Sequence, residues 1–501
     1  MITYTYITFN RSIKMADIMP LHEMSRVITT KGYAILKSAI TEAQTAKLRK
    51  ELTVAPKVNA KYACGNLAFT IFLESATRFY VPRQWGIKQF GEPDGNIIGE
   101  GLDLPDTIEF IGSPYPYQQT IIDTFIDKGA NGLICVPCGR GKTFMALCAA
   151  ITIGKRFLIV VDKEFLANQW KGEIERYIKG ARVGVLQANK CQVDPAKYDI
   201  TICMLQTVCQ RDFSPAFFEN YGLTIFDECH HLGAAHFSKV MIKIQTQWLL
   251  GLSATPDRDD GLTKVFEYFL GEPVYQETTR EPDPTVEVEA IWYRNSDPAY
   301  ATPPVNWKGE IVTARLMTQI VECKLRTFKI VERLFDLAEN DSRRKILVLS
   351  ERRAHLEELH DSPELSKFIR GYYIGGMKQA DLDRNADTCQ MLFATYAMSA
   401  EAMNIPTLNS MIMASPRKKV EQATGRILRV KPENRAIQPL IIDIIDQHSM
   451  YENQWYQRAR YYKKCKYAVR HTNKPDKTLE DRAAFDKKMG DQCMIHVPVL
   501  I

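Results

Sequence analysis

A glycine-rich loop joins an apolar run to a predicted helix and is the clearest chemical feature of the sequence. The run and loop read Leu133-Ile-Cys-Val-Pro-Cys-Gly-Arg-Gly-Lys-Thr143, and helical periodicity continues over residues 144–151. Backbone N–H groups and the positive end of the helix dipole meet at such a helix start, and both attract phosphate. The loop therefore predicts a phosphate-binding site.

The polar residues of this loop have distinct uses in holding a nucleotide. Gly139 and Gly141 let the backbone approach a phosphate chain closely. Lys142 can place a charge on the β- and γ-phosphates, and the Thr143 hydroxyl can bind Mg²⁺. The strict phosphate-loop pattern has glycine at the position of Val136, so only its second half is matched. We predict nucleotide binding, against the alternative of an ordinary strand-to-helix turn with a chance lysine.

Carboxylates and hydroxyls follow two further apolar runs. Asp227 and Glu228 come directly after the run Leu223–Phe226. At a strand end, Asp227 can hold Mg²⁺ through water, and Glu228 can orient and deprotonate an attacking water. Ser253 and Thr255 follow a similar run, and their hydroxyls could link the hydrolytic site to a neighbouring surface; ordinary capping and packing is the alternative.

Two arginines later in the chain have the spacing of an anion clamp. Arg426 and Arg429 stand three positions apart in Gln422-Ala-Thr-Gly-Arg-Ile-Leu-Arg429, which puts them on one face of a predicted helix. Two fixed guanidiniums on one face can bind an anion. A solvated basic face is the alternative, but a nucleotide site in the preceding domain favours a pair of arginine fingers.

Length and composition indicate several soluble domains. The 501 residues exceed what one core needs, and 65 Lys and Arg against 59 Asp and Glu leave the charge nearly balanced. No apolar run reaches the roughly 20 residues of a membrane span. The start of the chain lacks the basic and apolar pattern of a leader, so we expect an intracellular protein. The twelve scattered cysteines indicate reduced structural thiols.

Short apolar runs alternate with helical patterns from residue 111 to 272. Runs of this kind predict a parallel sheet covered on both faces, with ligands at the carboxyl ends of the strands. The predicted strands are Gly132–Val136, Arg156–Val161, Ile200–Cys203, Leu223–Phe226 and Trp248–Leu252.

Residues 1–110 are predicted to form a small α+β N-terminal domain. A capping pattern at Thr41 begins a helix, and strands are predicted over Ala68–Leu73 and Arg78–Val81. The segment Tyr80–Gly86 mixes aromatic and basic residues. It fits either a nucleic-acid surface or a packed strand end.

A proline-rich break separates this first α/β pattern from a second one. Residues 273–310 are predicted to be a linker with one short strand, Val286–Trp292, and residues 311–339 a long amphipathic helix. The second α/β domain is predicted over residues 311–447. Its strands are Lys345–Leu349, Gly371–Ile374, Gln390–Ala394, Ser410–Ala414 and Leu440–Ile445.

Residues 448–501 are predicted to form a basic, aromatic helix and tail. Positions 451, 455, 459 and 462 make an apolar stripe that can dock the helix and leave the cations outside. Cations neutralise phosphates and aromatic rings stack on bases, although a merely solvated helix face is the alternative. The candidate contacts are Arg458, Arg460, Lys463, Lys464 and Lys466.

Taken together, the motifs resemble the superfamily 2 helicases and translocases. Gly-Arg-Gly-Lys-Thr, Asp-Glu-Cys-His, Ser-Ala-Thr and Gln-Ala-Thr-Gly-Arg-Ile-Leu-Arg occur in that order across the two α/β patterns. Gly251–Gly261 is similar to the branch that contains the XPB subunit, phage UvsW and the type I and III restriction motors. Tyr80–Arg83, Tyr373–Met377 and the basic tail resemble helicases of large nucleocytoplasmic DNA viruses, including the poxviral helicase that releases transcripts. The resemblance implies an α/β protein with two tandem RecA-like domains.

The resemblance also implies roles by position. Residues with a catalytic role would be Lys142, Asp227, Glu228, Arg426 and Arg429, with Thr143 and Asp227 toward Mg²⁺. The ATP-binding set would be Gln118, Pro137, Cys138, Gly139, Arg140, Gly141, Lys142, Thr143 and Gln422. Coupling of hydrolysis to domain movement would use His230, Ser253, Thr255, Glu401 and Asn404, and Gln206 and Thr207 would contact a nucleic-acid backbone. The family usually has Gly and Asp where this chain has Ala402 and Asn404, a departure that bears on coupling and not on the fold.

We therefore expect an ATP-driven motor that uses ATP and Mg²⁺ and steps along nucleic acid as a monomer. The family branch favours DNA over RNA as the track and suggests RNA polymerase or other transcription proteins as partners. A viral helicase of this kind would work in the host cytoplasm, the virus factory or the virion. The alternatives are a translocase or annealing motor that does not unwind, an RNA helicase, and a nucleic-acid-binding scaffold with an inactive ATPase. A metabolic kinase would leave the second α/β domain and the basic tail unexplained.

Overall fold

The chain forms two compact units, Met1–Arg280 and Glu281–Ile501. The computed structural model describes residues 23–56, 68–137, 139–229, 234–254, 261–277, 282–401, 403 and 405–475. Within these ranges, no helix is both long and apolar enough to cross a membrane. The nine cysteines found there are free thiols, as expected for structural cysteines.

An eight-stranded sheet forms the centre of the first unit, and all its strand pairs are parallel except one at the edge. In spatial order the strands are Lys190–Cys191, Val183–Gln187, Ile200–Met204, Phe157–Val161, Leu223–Phe226, Trp248–Ser253, Asn131–Cys135 and Pro273–Gln276. The five predicted strands and their parallel arrangement are confirmed. Three strands were not predicted from their sequences: Lys190–Cys191, Val183–Gln187 and Pro273–Gln276.

Apolar clusters cover both faces of this sheet. Along one strand, Leu158 and Val160 belong to one cluster while Ile159 and Val161 belong to the other, because successive side chains of a strand point to opposite faces. This explains why the strands read as continuous apolar runs. The helices of this part are Pro116–Asp127, Lys142–Ile153, Glu164–Tyr177, Leu205–Gln210, Ala234–Lys243 and Thr263–Leu270.

The N-terminal part has its own five-stranded sheet but lies within the first compact unit. Its strands, in spatial order, are Leu73–Glu74, Arg78–Val81, Gly32–Leu36, Arg26–Thr29 and Gly95–Asn96. Helices Glu42–Glu51 and Arg83–Phe90 accompany the sheet, and Thr41 and Gln44 form the predicted capping box. The boundary predicted near residue 110 therefore does not delimit a separate compact unit.

The ambiguous segment after strand Arg78–Val81 is a packed strand end. Arg83 is 5% exposed, and its guanidinium donates hydrogen bonds to the carbonyl oxygens of Thr246 (2.7 Å) and Gln247 (3.0 Å). Trp85 is equally buried. These side chains fasten the N-terminal part to the end of the first α/β sheet, so they do not form a nucleic-acid surface.

The second unit is built on seven parallel strands. In spatial order they are Arg370–Tyr373, Met391–Thr395, Ile346–Ser350, Ser410–Met413, Leu440–Asp446, Glu287–Tyr293 and Ala468–Thr472. The five strands predicted for this domain and the expected RecA-like architecture are confirmed. The sheet thus takes in one strand from the predicted linker and one from the predicted tail.

The assignment of Glu287–Tyr293 to a linker was wrong. The prolines around it suggested a linker with a small excursion, and the strand predicted over Val286–Trp292 is present, but it is an inner strand between Leu440–Asp446 and Ala468–Thr472. The glutamates are tolerated because arginines from other elements pair with them. Glu289 lies 2.6 Å from Arg333 and 3.3 Å from Arg470.

The single long helix predicted over residues 311–339 is two helices, Thr313–Val321 and Lys324–Asn340. Neither glycine nor proline marks the break. The first helix buries Leu316 and Ile320 in a small cluster, whereas the second packs on the main sheet, so the two helices serve different clusters. The other helices of this unit are Pro298–Ala301, Arg353–His360, Gln379–Thr388, Tyr396–Glu401, Glu421–Arg426 and Ser449–Lys464.

Candidate nucleotide site and nucleic-acid contacts

The glycine loop leaves the carboxyl end of strand Asn131–Cys135 and enters helix Lys142–Ile153. Gly139 (φ 86°) and Gly141 (φ 81°) lie in the left-handed region that favours glycine. A Cβ atom on Gly141 would lie 2.5 Å from Gln118 Nε2. Since Gly141 caps the helix without a side chain, the first-turn N–H groups suit a bound phosphate.

Gln118 lies against this loop. Its Oε1 accepts a hydrogen bond from the Tyr115 N–H (3.0 Å), and its Nε2 donates one to the Arg140 carbonyl (3.1 Å). The Arg140 guanidinium carbon stands 4.1 Å from the Tyr117 ring centroid, and Arg140 Nη2 stands 3.1 Å from Glu277 Oε2. Tyr117 and Glu277 were not predicted as site residues, and Arg140 and Glu277 stand 137 positions apart in the chain.

Three of the predicted catalytic residues meet beyond the carboxyl ends of strands Asn131–Cys135 and Leu223–Phe226, between which strand Trp248–Ser253 lies. Lys142 Nζ lies 2.9 Å from Glu228 Oε1, and the two side chains are only 10% and 16% exposed. Asp227 Oδ1 accepts a hydrogen bond from the Glu228 N–H at 2.9 Å. Glu228 itself has a φ of 41°, an uncommon conformation for a non-glycine residue that concentrates at functional sites.

A buried tryptophan holds Asp227. Trp170 is 1% exposed on helix Glu164–Tyr177, and its indole N–H donates to Asp227 Oδ2 at 2.7 Å. Burial and the charge of Glu228 raise the pKa of Asp227 to about 6, while Lys142 and the indole N–H oppose that rise. No local pattern of the sequence predicts this contact, because Trp170 and Asp227 stand 57 positions apart.

Removing this indole hydrogen bond should weaken the metal site. We expect Trp170→Phe to raise the Mg²⁺ concentration that half-saturates ATP hydrolysis by about 10-fold, because partners behind a metal ligand set its orientation. Turnover at saturating Mg²⁺ should change less. Trp85→Phe is the matched control, since Trp85 also donates its indole N–H to a glutamate, Glu51, at 3.0 Å in the same unit. Equal Mg²⁺ dependence in both variants would show that Trp170 only packs.

The residues present fit ATP and Mg²⁺. Thr143 lies in the first helical turn after the loop, and its hydroxyl and the Asp227 carboxylate are the hard oxygen ligands that Mg²⁺ prefers. Lys142 supplies a point charge beside them. Bound Mg²⁺ would neutralise negative charge on the β- and γ-phosphates.

The predicted coupling residues are only partly described. Ser253 is 1% exposed at the end of its strand, and its carbonyl accepts a hydrogen bond from the Val136 N–H at 3.1 Å, so this motif adjoins the glycine loop. Glu401 ends helix Tyr396–Glu401. The other residues named for nucleotide binding or coupling lie outside the described ranges: Cys138, His230, Thr255, Ala402 and Asn404.

The two candidate arginine fingers converge on one carbonyl. Arg426 Nη1 and Arg429 Nη2 donate to the Met403 carbonyl at 2.6 Å and 3.1 Å. The prediction that the two arginines share one helix face was wrong, because helix Glu421–Arg426 ends at Arg426 and Arg429 follows it. Gln422 lies in the same short helix. The two arginines are therefore held together by the Met403 carbonyl and not by a shared helix face.

The basic helix Ser449–Lys464 docks through the predicted apolar stripe, since Tyr451, Trp455 and Tyr462 are buried. The prediction that Arg458 contacts nucleic acid was wrong. It is 2% exposed, and its Nε and Nη2 donate to both carboxylate oxygens of Asp443 at 2.8 Å each. A cation consumed in a buried pair is not presented to a phosphate. The exposed candidates that remain are Arg460, Lys463, Lys464 and Lys466.

The two other nucleic-acid candidates differ in exposure. Gln206 is exposed and donates to the Asp162 carbonyl at 2.7 Å. Thr207 is 7% exposed, and its hydroxyl accepts a hydrogen bond from the Ala188 N–H at 2.9 Å. The Thr207 hydroxyl thus fixes the backbone of a neighbouring turn, and only the Gln206 side chain faces solvent.

The chain is similar to a known protein family and to named helicases of several organisms. Residues 111–258 match the family model of the type III restriction enzyme res subunit. A protein of Acanthamoeba polyphaga mimivirus, provisionally named an ATP-dependent RNA helicase, is 29% identical over 460 residues, covering 88% of this chain and 86% of that protein. This chain is a relative of the superfamily 2 helicases of large DNA viruses.

Two further proteins are similar to smaller shares of this chain. An African swine fever virus protein, also provisionally named an ATP-dependent RNA helicase, is 27% identical over 397 residues, covering 72% of this chain and 76% of that protein. A Halobacterium salinarum protein provisionally named a DNA 3'-5' helicase is 30% identical over 194 residues, covering 37% of this chain and 31% of that protein. The names of the relatives thus divide between RNA and DNA.

Proposed function

We propose that this chain is an ATP-driven motor that moves along nucleic acid, with DNA as the favoured track. The observation that carries the proposal is the meeting of Lys142, Asp227 and Glu228 beside a glycine loop, at the strand ends where a doubly covered parallel sheet binds ligands. Chemistry of this kind hydrolyses nucleoside triphosphates. The similarity to helicases then supports movement along nucleic acid as the process that hydrolysis drives.

The site suggests how each residue would act on ATP. Lys142 would leave Glu228 for the β- and γ-phosphates, because a phosphate chain carries more negative charge than one carboxylate. That exchange would free Glu228 to accept a proton from the attacking water. Asp227 and Thr143 would hold Mg²⁺, with the Trp170 indole keeping Asp227 in place.

Arg426 and Arg429 are proposed to stabilise charge on the transferring phosphoryl group, as arginine fingers do. Gln422 would assist them at the nucleotide. Hydrolysis would thereby depend on both α/β domains, and a cycle of binding and release could drive stepping along a phosphate backbone. Contacts to phosphates do not read sequence, so little sequence specificity and strong salt dependence are expected.

DNA is proposed as the track on the strength of the DNA-helicase branch, to which the archaeal relative belongs by name. RNA is the second candidate, because the two viral relatives with the widest coverage are named RNA helicases. Within the DNA reading, we propose a role in releasing transcripts, with RNA polymerase as the partner. A strand-displacement assay with DNA and RNA duplexes tests both readings. Displacement of RNA alone would move the assignment to an RNA helicase, and polymer-stimulated hydrolysis without displacement would indicate a translocase.

The exposed lysines in the last turn of the basic helix and just beyond it should contribute to nucleic-acid affinity through phosphate contacts. We expect the triple variant Lys463→Gln, Lys464→Gln and Lys466→Gln to have a flatter salt dependence of nucleic-acid binding. The negative slope of log K for association against log salt should become smaller in magnitude by about 2. The matched control replaces three other exposed lysines of the second unit, Lys329, Lys367 and Lys378. The same salt dependence in both triple variants would remove these positions from the interface. Arg458→Gln is unsuitable here, because breaking its buried pair should destabilise the fold by about 3–5 kcal/mol.

A further inference from the structure

The second unit presents one tryptophan almost wholly to solvent. The Trp307 side chain is 89% exposed, the largest exposed fraction of any large apolar side chain in the described ranges. All six tryptophans of the sequence lie in those ranges, and the other five are between 1% and 6% exposed. A tryptophan usually buries most of its large ring, so the face of this ring is unusually accessible to a ligand.

The turn that carries Trp307 is held rigidly. Asn306 Oδ1 accepts hydrogen bonds from the N–H groups of Lys308 (2.9 Å) and Glu310 (3.1 Å), and Asn306 Nδ2 donates to Glu310 Oε2 at 3.1 Å. Gly309 closes the turn with a φ of 76° and donates its N–H to the Asn306 carbonyl at 2.9 Å. The backbone beneath the ring is therefore held by hydrogen bonds, and little backbone entropy would be lost when a ligand covers the ring.

The base of the turn is anchored as well. Val305 and Ile311 form an antiparallel bridge, and the Val312 N–H donates to the Pro304 carbonyl at 2.8 Å. The helix that follows buries Leu316 in the cluster that also holds Tyr451 of the basic helix. The turn is thus a protrusion on a packed support.

The charges around the ring suit a polyanion. Lys308 Nζ lies 4.6 Å from the Trp307 ring centroid and supplies a cation beside it. The carboxylate of Glu310 is engaged by Asn306. A cavity of about 710 Å³ reaches Pro304 at the base of the turn and is lined by the cations Arg315, Lys324 and Arg352 and the acids Asp297 and Glu322. Lys324 is itself paired with Glu358 at 2.9 Å. Asp297 is engaged in capping, since it accepts the Ala299 N–H at 2.9 Å.

We propose that Trp307 is a stacking platform for one base of single-stranded nucleic acid, with Lys308 on the adjacent phosphate. An aromatic face beside a cation is the combination by which proteins hold single strands without reading sequence. This inference rests on the proposed function, because it assumes that the chain binds nucleic acid. A protein partner is the other class of occupant, but a stable protein interface needs about 800 Å² on each side, far more than one ring on a narrow turn.

Tryptophan emission tests the proposal directly in the full chain. We expect a short oligothymidylate or oligouridylate, whichever binds more tightly, to quench the emission, because stacking brings a base onto the exposed ring. An abasic oligomer with the same phosphates should bind with little quenching. Trp307→Phe should abolish most of the change, since the remaining tryptophans are buried.

Affinity supplies the second readout, measured by the anisotropy of a dye-labelled oligonucleotide. Trp307→Ala should weaken binding by about 5- to 100-fold and Trp307→Phe much less, as expected for the loss of one stacked base. Ile369→Ala, which removes an apolar side chain that is 63% exposed elsewhere in the unit, is the matched control and should bind normally. An unchanged melting temperature of Trp307→Ala would show that the fold is intact.

Two outcomes would overturn the proposal. One contradicts only the stacking role of Trp307, and the other also contradicts the proposed motor function. Binding without quenching, together with normal affinity of Trp307→Ala, would overturn the stacking role alone and leave a protein partner as the occupant of the ring. A chain that hydrolyses ATP but binds none of the oligonucleotides would overturn the proposed motor function itself.

Discussion

Replacing Glu228 by glutamine is expected to lower the rate of ATP hydrolysis at saturating ATP by about 10²- to 10⁴-fold, the usual contribution of a positioned general base. ATP should bind at least as tightly as before. Lys142 Nζ lies 2.9 Å from Glu228 Oε1, so a phosphate chain must compete with this carboxylate for the lysine. The amide of glutamine keeps the shape of the side chain but removes both the base and the competing charge.

Separate measurements of turnover and nucleotide affinity distinguish this account from a general loss of structure. Lys142→Ala should lose both turnover and ATP affinity, whereas Glu228→Gln should lose turnover alone. Glu272→Gln is the matched control, because Glu272 also pairs with a lysine at 2.7 Å but on the exposed surface. A Glu228→Gln variant that hydrolyses ATP at the normal rate would assign the base elsewhere.

Arg426→Ala is expected to reduce turnover by about 10³-fold or more, the range measured for arginine fingers. The guanidinium of Arg426 is 7% exposed and hydrogen-bonds the Met403 carbonyl beside Arg429, so it is pre-positioned. ATP affinity should fall much less than turnover, because a finger acts mainly on charge that develops during the reaction. Arg426→Lys should recover only a small part, since an ammonium cannot reproduce the planar fork.

The control for this second effect is a surface arginine of the same unit. Arg384 is 66% exposed and pairs with Asp381 one helical turn away, so Arg384→Ala should hydrolyse ATP normally. Thermal unfolding of both variants reports on the integrity of the second unit. If Arg426→Ala retains full turnover, hydrolysis does not depend on the second α/β domain in the proposed way.

The two central sheets could be predicted because their strands are buried on both faces. Such strands read as uninterrupted β-branched and apolar runs, and polar motifs at their carboxyl ends locate the ligand site. Lys142, Asp227 and Glu228 were found by this reasoning, and the structure brings them together. Short-range patterns sufficed for these features.

Contacts between distant positions could not be predicted in the same way. Trp170 and Asp227 meet only because helix Glu164–Tyr177 packs beside the site. The sequence around either residue does not predict the other as its hydrogen-bond partner. Likewise, nothing local shows that Arg333 and Arg470 make Glu289 acceptable in an inner strand. Such neighbours are set by packing and not by sequence periodicity.

One misassignment had a usable warning in the sequence. Asp443 lies in the middle of an apolar strand and is fully buried, and a buried carboxylate needs a cation. Arg458 fills that need, so placing Arg458 among the outward-facing cations of the basic helix was wrong. The same logic applies to Asp446, which pairs with the buried Arg326 at 2.6 Å.

ATP hydrolysis by the full chain with no polymer, single-stranded DNA, duplex DNA and RNA, measured beside Glu228→Gln, tests the motor most directly. The account predicts that at least one polymer stimulates turnover strongly, that DNA does so more than RNA, and that the variant abolishes it. Turnover that no polymer changes would contradict a nucleic-acid motor. Absence of turnover under every condition would instead favour a nucleic-acid-binding scaffold with an inactive site.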